Sequence, residues 1–140
     1  MPMPKTPLLT TDCVIFDGRE RVLLIRRKNE PFKGEYALPG GFIDIGETTE
    51  ASCRREVLEE AGIVVDRLHL VGVYSDPSRD PRSHAVSVAY ATHFGEAPTP
   101  KVGSDAEAAE WVQDWRTKRL AFDHSLIIAD AEKLCGERVK

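Results

Sequence analysis

Apolar and polar positions along the chain change period several times, and each change marks an element. Between 84 and 94 they alternate, Ala85, Ser87, Ala89 and Ala91 against Val86, Val88, Tyr90 and Thr92, as a half-buried strand requires. Strands are also predicted over 12–16 and 21–27, on either side of Asp17-Gly18, a hairpin turn signal. A short strand over 36–38, one or two strands within 64–74 and a last short one over 109–112 complete the β set. From Thr49 onward the period changes, with Ala51, Val57, Leu58 and Ala61 recurring at three- and four-residue steps, so that face of a helix is expected against a core. Thr48 or Thr49 suits its N-cap, and Gly62 closes it where a left-handed residue is usual. Asp123 is expected to cap a final helix over 125–134, and 96–105 is a loop rich in Pro and Gly. Mixed strands and helices in this order give an α/β (α+β) class. No repeat or linker divides residues 1–140, which predicts a single domain.

The helix over 49–61 carries more than a core face. Glu56, Glu59 and Glu60 fall within an arc of roughly 100° on it, and Arg55 lies one turn before Glu59. Carboxylates crowded together repel one another and add nothing to a helix, whereas hard divalent cations bind through carboxylates together with substrate phosphates. A solvated acidic face paired with arginine is the bland explanation of E-x-x-E-E. It weakens once the fixed companions are added: Leu38-Pro39-Gly40-Gly41 before the helix, Glu47 at its entry and Gly62 at its exit. A Gly-Gly pair lets the backbone approach a ligand closely.

Gly41, Glu47, Arg55, Glu56, Glu59, Glu60 and Gly62, with Val57 and Ile63, fill the pattern G-x5-E-x7-R-E-U-x-E-E-x-G-U over 41–63, U being a bulky aliphatic residue. Fixed identity at that many positions, at roughly 6% background each, makes a chance match rarer than about one in a million. The segment resembles the Nudix box, signature of hydrolases that cleave nucleoside diphosphates linked to another moiety. The resemblance covers nearly the whole chain and implies an α/β/α sandwich around a mixed β-sheet. It also implies an enzyme using Mg²⁺ or Mn²⁺ held by the Gly40 carbonyl, Glu56, Glu59 and Glu60, with Glu47 pairing to Arg55. Glu60, or Glu107 from the loop before the last strand with Asp105 behind it, would orient or deprotonate the attacking water.

Substrate choice must come from outside the box. Pro77 stands fifteen residues after Gly62, and SDPSRDPRSHAVSVAY resembles the small ADP-ribose pyrophosphatases. The expected reaction is therefore ADP-ribose to AMP and ribose 5-phosphate. Two alternatives remain: an oxidised nucleoside triphosphate as substrate, or a nucleotide sensor that does not cleave. Arg27, Arg79 and Arg82 are candidates for gripping phosphate, Gly41 for close approach, and Phe32 and Tyr36 for stacking on adenine. Relatives of this type often dimerise, so the resemblance carries a homodimer.

Composition narrows the remaining classes. The 140 residues have formal charge −4 and scattered Lys and Arg, so they present no general basic footprint for nucleic acid. Cys13, Cys53 and Cys135 are odd in number and far apart, which gives no disulfide framework or zinc spacing. The MPMPKTP start lacks an apolar signal core and no run approaches membrane-spanning length, so the cytoplasm and a small nucleotide partner are expected.

Overall fold

The computed structural model describes residues 2–103 and 106–138. Its strands are β1 (Leu8–Phe16), β2 (Val22–Arg27), β3 (Tyr36–Ala37), β4 (Gly40–Phe42), β5 (His69–Tyr74), β6 (Ala85–His93) and β7 (Ala106–Val112). Its helices are α1 (Thr49–Ala61) and α2 (His124–Arg138). All the strands join one mixed sheet. β1 runs parallel to β6 along its whole length, from Leu8 opposite Ala85 to Phe16 opposite His93. It meets β2 only where Phe16 faces Val22. Beyond that contact the two strands part: β4 lies beside the first half of β1, and β3 and β7 flank β2.

Both faces of the sheet are covered, so the central strands are buried on both sides rather than half-exposed. Alternation along β1 sends Cys13 and Ile15 to one core with Cys53, Val57 and Ala61 of α1. The same alternation sends Val14 to a second core with Ile127, Ile128 and Ala131 of α2. This is the three-layer α/β/α sandwich. Among the described residues, no helix is long and apolar enough to cross a membrane.

Helix α1 begins and ends on local chemistry. Thr48 is the N-cap and accepts the Ala51 amide on its hydroxyl at 3.0 Å, while Gly62 terminates the helix at φ 67°. The residues after it close the end: the amides of Lys101 and Gly103 donate to the carbonyls of Ala61 and Glu60 at 2.7 and 3.0 Å. The core-facing stripe differs from the predicted one. Ala51 and Leu58 are exposed, and the buried residues are Ser52, Cys53, Glu56, Val57, Glu60 and Ala61. The apolar row 53–57–61 meets the sheet, and the adjoining row 52–56–60 is buried with it, although it carries two acids.

Gly40–Phe42, where no strand is expected from the sequence, pairs with β1. One further expectation changes. Asp123 directs its carboxylate to Arg79, and only its main-chain carbonyl receives amides of α2, from Leu126 and Ile127.

Candidate active site

The place where β1 and β2 part opens into a cleft of about 450 Å³, within the range of small-molecule sites. One wall is α1 with the Gly40–Gly41 strand. Gly40 donates its amide to Glu60 Oε1 at 2.9 Å. A β-carbon on Gly40 would lie 2.1 Å from the Thr11 carbonyl, and one on Gly41 would lie 2.6 Å from the Glu56 carboxylate. Gly40 therefore requires glycine, because backbone runs against backbone there, whereas a β-carbon on Gly41 would displace the Glu56 carboxylate.

Glu56 and Glu60 are buried side by side, and their protonation follows. Burial pushes Glu60 up to about 9, against the pull of the Gly40 amide and with the added repulsion of Glu56. Burial likewise raises Glu56, although Arg55 draws it back. Arg55 gathers the rest of this wall. It holds Glu47 through two parallel bonds at 2.7 and 2.9 Å, and reaches Glu56 Oε1 at 3.0 Å and Glu59 Oε2 at 3.2 Å. Bonds from Arg55 and then from the Asp44 amide bring Glu47 down to about 2. The side chain of Glu59 remains 48% exposed.

The opposite wall is basic and aromatic. The Arg27 and Arg82 guanidinium carbons lie 5.0 and 5.7 Å from the centroid of the Phe122 ring. Arg82 also lies 5.5 Å from the Phe42 ring. Arg27 donates to the Pro31 carbonyl at 2.7 Å. Burial and the neighbouring charge of Arg82 lower its pKa. Two guanidinium groups drawn to one ring form a favourable seat for an anion.

The residues singled out from the sequence divide between the cleft and its surroundings. Gly40, Gly41, Arg27, Arg55, Glu56, Glu59, Glu60, Arg79 and Arg82 line the cleft. Glu47 stands behind Arg55. Arg79 is committed to Asp123 at 2.7 and 3.0 Å, with its side chain only 4% exposed, so it braces the wall rather than offering a free fork. Tyr36 faces away from the cleft: its hydroxyl accepts from Arg26 at 2.9 Å and its ring packs against the α2 core. Glu107 is exposed on β7, where Arg26 opposes Ala108 and Arg27 opposes Ala106, leaving Glu107 as the extra residue of a bulge. It is not among the residues lining the cleft. Asp105 falls outside the described residues.

Asp12, Asp80, Phe42, Phe122 and His124 also line the cleft without having been singled out. Asp12 had the available signal of an acid opening an apolar strand. His124 and Phe122 offered none, because only tertiary packing brings them there.

The donor set fits a hard divalent cation. Buried carboxylates that are raised by burial and mutual repulsion gain from a positive charge between them, and oxygen is the ligand atom such ions take. Among the described residues no three acidic, imidazole or thiol side chains stand together as a finished cage. Glu59 is drawn toward Arg55 and Glu60 toward Gly40, so binding would recruit both from existing partners.

The NUDIX domain model matches residues 6–129. An ADP-ribose pyrophosphatase of Methanocaldococcus jannaschii is 44% identical over 126 residues, covering 89% of this chain and 72% of that one. An ADPR responsive transcriptional repressor, NtrR, of Acinetobacter baylyi is 35% identical over 90% of this chain, which spans 53% of the repressor. Among solved structures, the NUDIX domain of Shewanella oneidensis NrtR complexed with ADP ribose superposes with TM-score 0.86 at 31% identity, covering 97% of this chain and 90% of that domain.

Proposed function

This chain belongs to the NUDIX family, and on that premise we propose that it hydrolyses the diphosphate linkage of ADP-ribose, giving AMP and ribose 5-phosphate. The observation that carries the reading is the surplus of buried acid on α1, facing Arg27 and Arg82 across the cleft. The substrate class follows from the 44% identical pyrophosphatase and from the ADP-ribose bound to the superposed NrtR domain.

Glu56, Glu59 and Glu60, with the Gly40 carbonyl, would hold Mg²⁺ or Mn²⁺, and such an ion supplies charge neutralisation of a diphosphate and acidification of water. The chain's own residues supply the rest. Arg27 and Arg82 bind the non-bridging phosphate oxygens, and Gly41 lets the diphosphate approach the backbone. The water oxygen bonds to one phosphorus, the bridging P–O bond breaks and the departing phosphate takes the bridging oxygen. The water proton passes to a carboxylate. Glu60 is the candidate base: the Gly40 amide fixes its Oε1. A positive charge beside it would favour the ionised form, which burial otherwise opposes and which alone can accept the proton. Glu107 is the alternative, acting from β7. Arg55 keeps Glu56 and Glu59 turned toward the cleft.

The partner is a small nucleotide, and we assign the work to the cytoplasm, a reducing compartment that suits Cys13, Cys53 and Cys135, none of which is in a disulfide. Leu70 and Val73, exposed on the edge strand β5, support a homodimer.

The test is phosphate release with Mg²⁺ and alkaline phosphatase on ADP-ribose, NADH, nucleotide sugars, diadenosine polyphosphates and oxidised dGTP. A dominant ADP-ribose signal is expected, and a preference for oxidised dGTP would overturn the substrate. A second reading, nucleotide sensing without cleavage, is favoured by the likeness to the repressor NtrR. ADP-ribose binding with no turnover of any compound would select it.

A further inference from the structure

Residues 121–124, at the start of α2, are four consecutive positions that each hold a different neighbour around the cleft. Ala121 donates its amide to the Tyr36 carbonyl on β3 at 2.8 Å. Phe122, at φ 53°, lays its ring beside Arg27 and Arg82 and edge-on to Phe32. Asp123 takes both arms of Arg79. His124, 4% exposed, accepts the Leu38 amide on Nδ1 at 3.0 Å, and its Nε2 lies 3.3 Å from Asp12 Oδ1. A bulky residue with positive φ persists only where its surroundings over-determine it, and these attachments do so.

The His124 contact has a direction. An Nδ1 that accepts an amide carries no hydrogen, so the ring is the neutral tautomer with its proton on Nε2, facing Asp12. Asp12 is a ready acceptor, already receiving the Ser87 hydroxyl on its other oxygen, with Arg79 3.8 Å away. Beyond Leu38 the backbone is held at each step. The Pro39 carbonyl accepts the Cys13 amide at 2.9 Å, and the Gly40 amide donates to Glu60. His124 therefore grips the near end of the segment whose far end fixes the candidate base.

We propose that His124 is a positioning residue for the reaction: its Nδ1 holds Leu38 so that the Gly40 amide stays on Glu60. The proposal rests on the reading of Glu60 given above. A histidine that merely filled the core would need neither this tautomer nor this particular bond.

Two substitutions separate the ring's nitrogens. Asparagine places an amide oxygen near the Nδ1 position and can accept from Leu38, whereas glutamine reaches toward the Nε2 position and leaves the Leu38 amide unmet. Mn²⁺ affinity by calorimetry, kcat and KM on ADP-ribose, and Tm are measured for His124→Asn and His124→Gln. Long-range ¹⁵N–¹H spectra give the wild-type tautomer. Glutamine is expected to lower kcat and Mn²⁺ affinity by about ten- to a hundredfold, as outer-shell changes do, with KM moving less than about threefold. Asparagine should keep both within about threefold of wild type. Wild-type Mn²⁺ affinity in the glutamine variant, equal losses in both variants with a matching fall in Tm, or a protonated Nδ1 would overturn the proposal. So would failure of both variants to fold, since His124 would then serve the core. Absence of ADP-ribose turnover in the wild type would refute the substrate reading alone, because Mn²⁺ binding and the tautomer judge His124 without it.

Discussion

The two walls of the cleft are both built from arginines and carboxylates, yet their charge is arranged differently. On the side of α1, Asp44, Glu47, Glu56 and Glu59 surround Arg55 and Glu60 lies beside Glu56, so acid is in large excess. On the far side, Asp12, Asp80 and Asp123 are matched in number by Arg27, Arg79 and Arg82, and His124 joins them as a neutral ring. A balanced buried network holds a structure in one geometry. An unbalanced one stores repulsion that a further cation relieves. The difference locates where an ion belongs and where architecture does.

The largest test of this contrast is Glu60→Gln, which keeps the shape and removes one charge from the crowded wall. Turnover should fall by about 10²- to 10⁴-fold, with the fold retained. Near-normal kcat would reject this wall as the site of chemistry. Stability without added metal should change in a defined sense. Because burial holds Glu60 near about 9 against an ordinary 4.5, the unfolded chain ionises first and stability is lost as pH rises through that window. The glutamine variant should lose that slope in urea titrations run with EDTA.

Arg79→Ala probes the balanced wall. Removing one partner of a buried pair is expected to cost about 3 to 5 kcal/mol of stability in urea unfolding, while Mn²⁺ affinity stays near wild type. Equal damage to metal affinity would erase the contrast. Arg55→Lys keeps charge but loses the two-pronged bond to Glu47, so kcat should drop by about ten- to a hundredfold with less than about 1 kcal/mol of stability lost. The smallest effect is assigned to Glu107→Gln, less than about threefold in kcat, since the side chain is exposed on a bulge outside the cleft. A loss as large as that of Glu60→Gln would transfer the base to Glu107.

What the sequence made legible follows the range of the interactions concerned. Thr48 and Gly62 are caps, decided within four residues, and both ends of α1 could be read directly. The box acids were legible because their spacing on one helix is also local. The buried stripe of α1 was not: periodicity counted Ala51 and Leu58 as core and left out Glu56 and Glu60, because hydropathy gives no weight to an acid buried for chemistry. Strand β4 is three residues long and begins Gly-Gly, so it reads as a turn until β1 pairs with it. Asp12, Ser87 and His124 meet across separations that no window spans: 75 residues divide Asp12 from Ser87, and 86 divide Leu38 from His124.

Gly103 sets a boundary on how this protein could diverge. A β-carbon there would fall 1.5 Å from the Glu59 carbonyl, and the Gly103 amide bonds the carbonyl of Glu60. The loop that begins at Glu96 may lengthen, shorten or change its contacts as lineages explore new substrates. Where it reaches the end of α1 it has to return as a bare backbone, because any side chain would push on the stretch that bears the acids. Descendants with different specificities should therefore vary freely before this position and keep glycine at it.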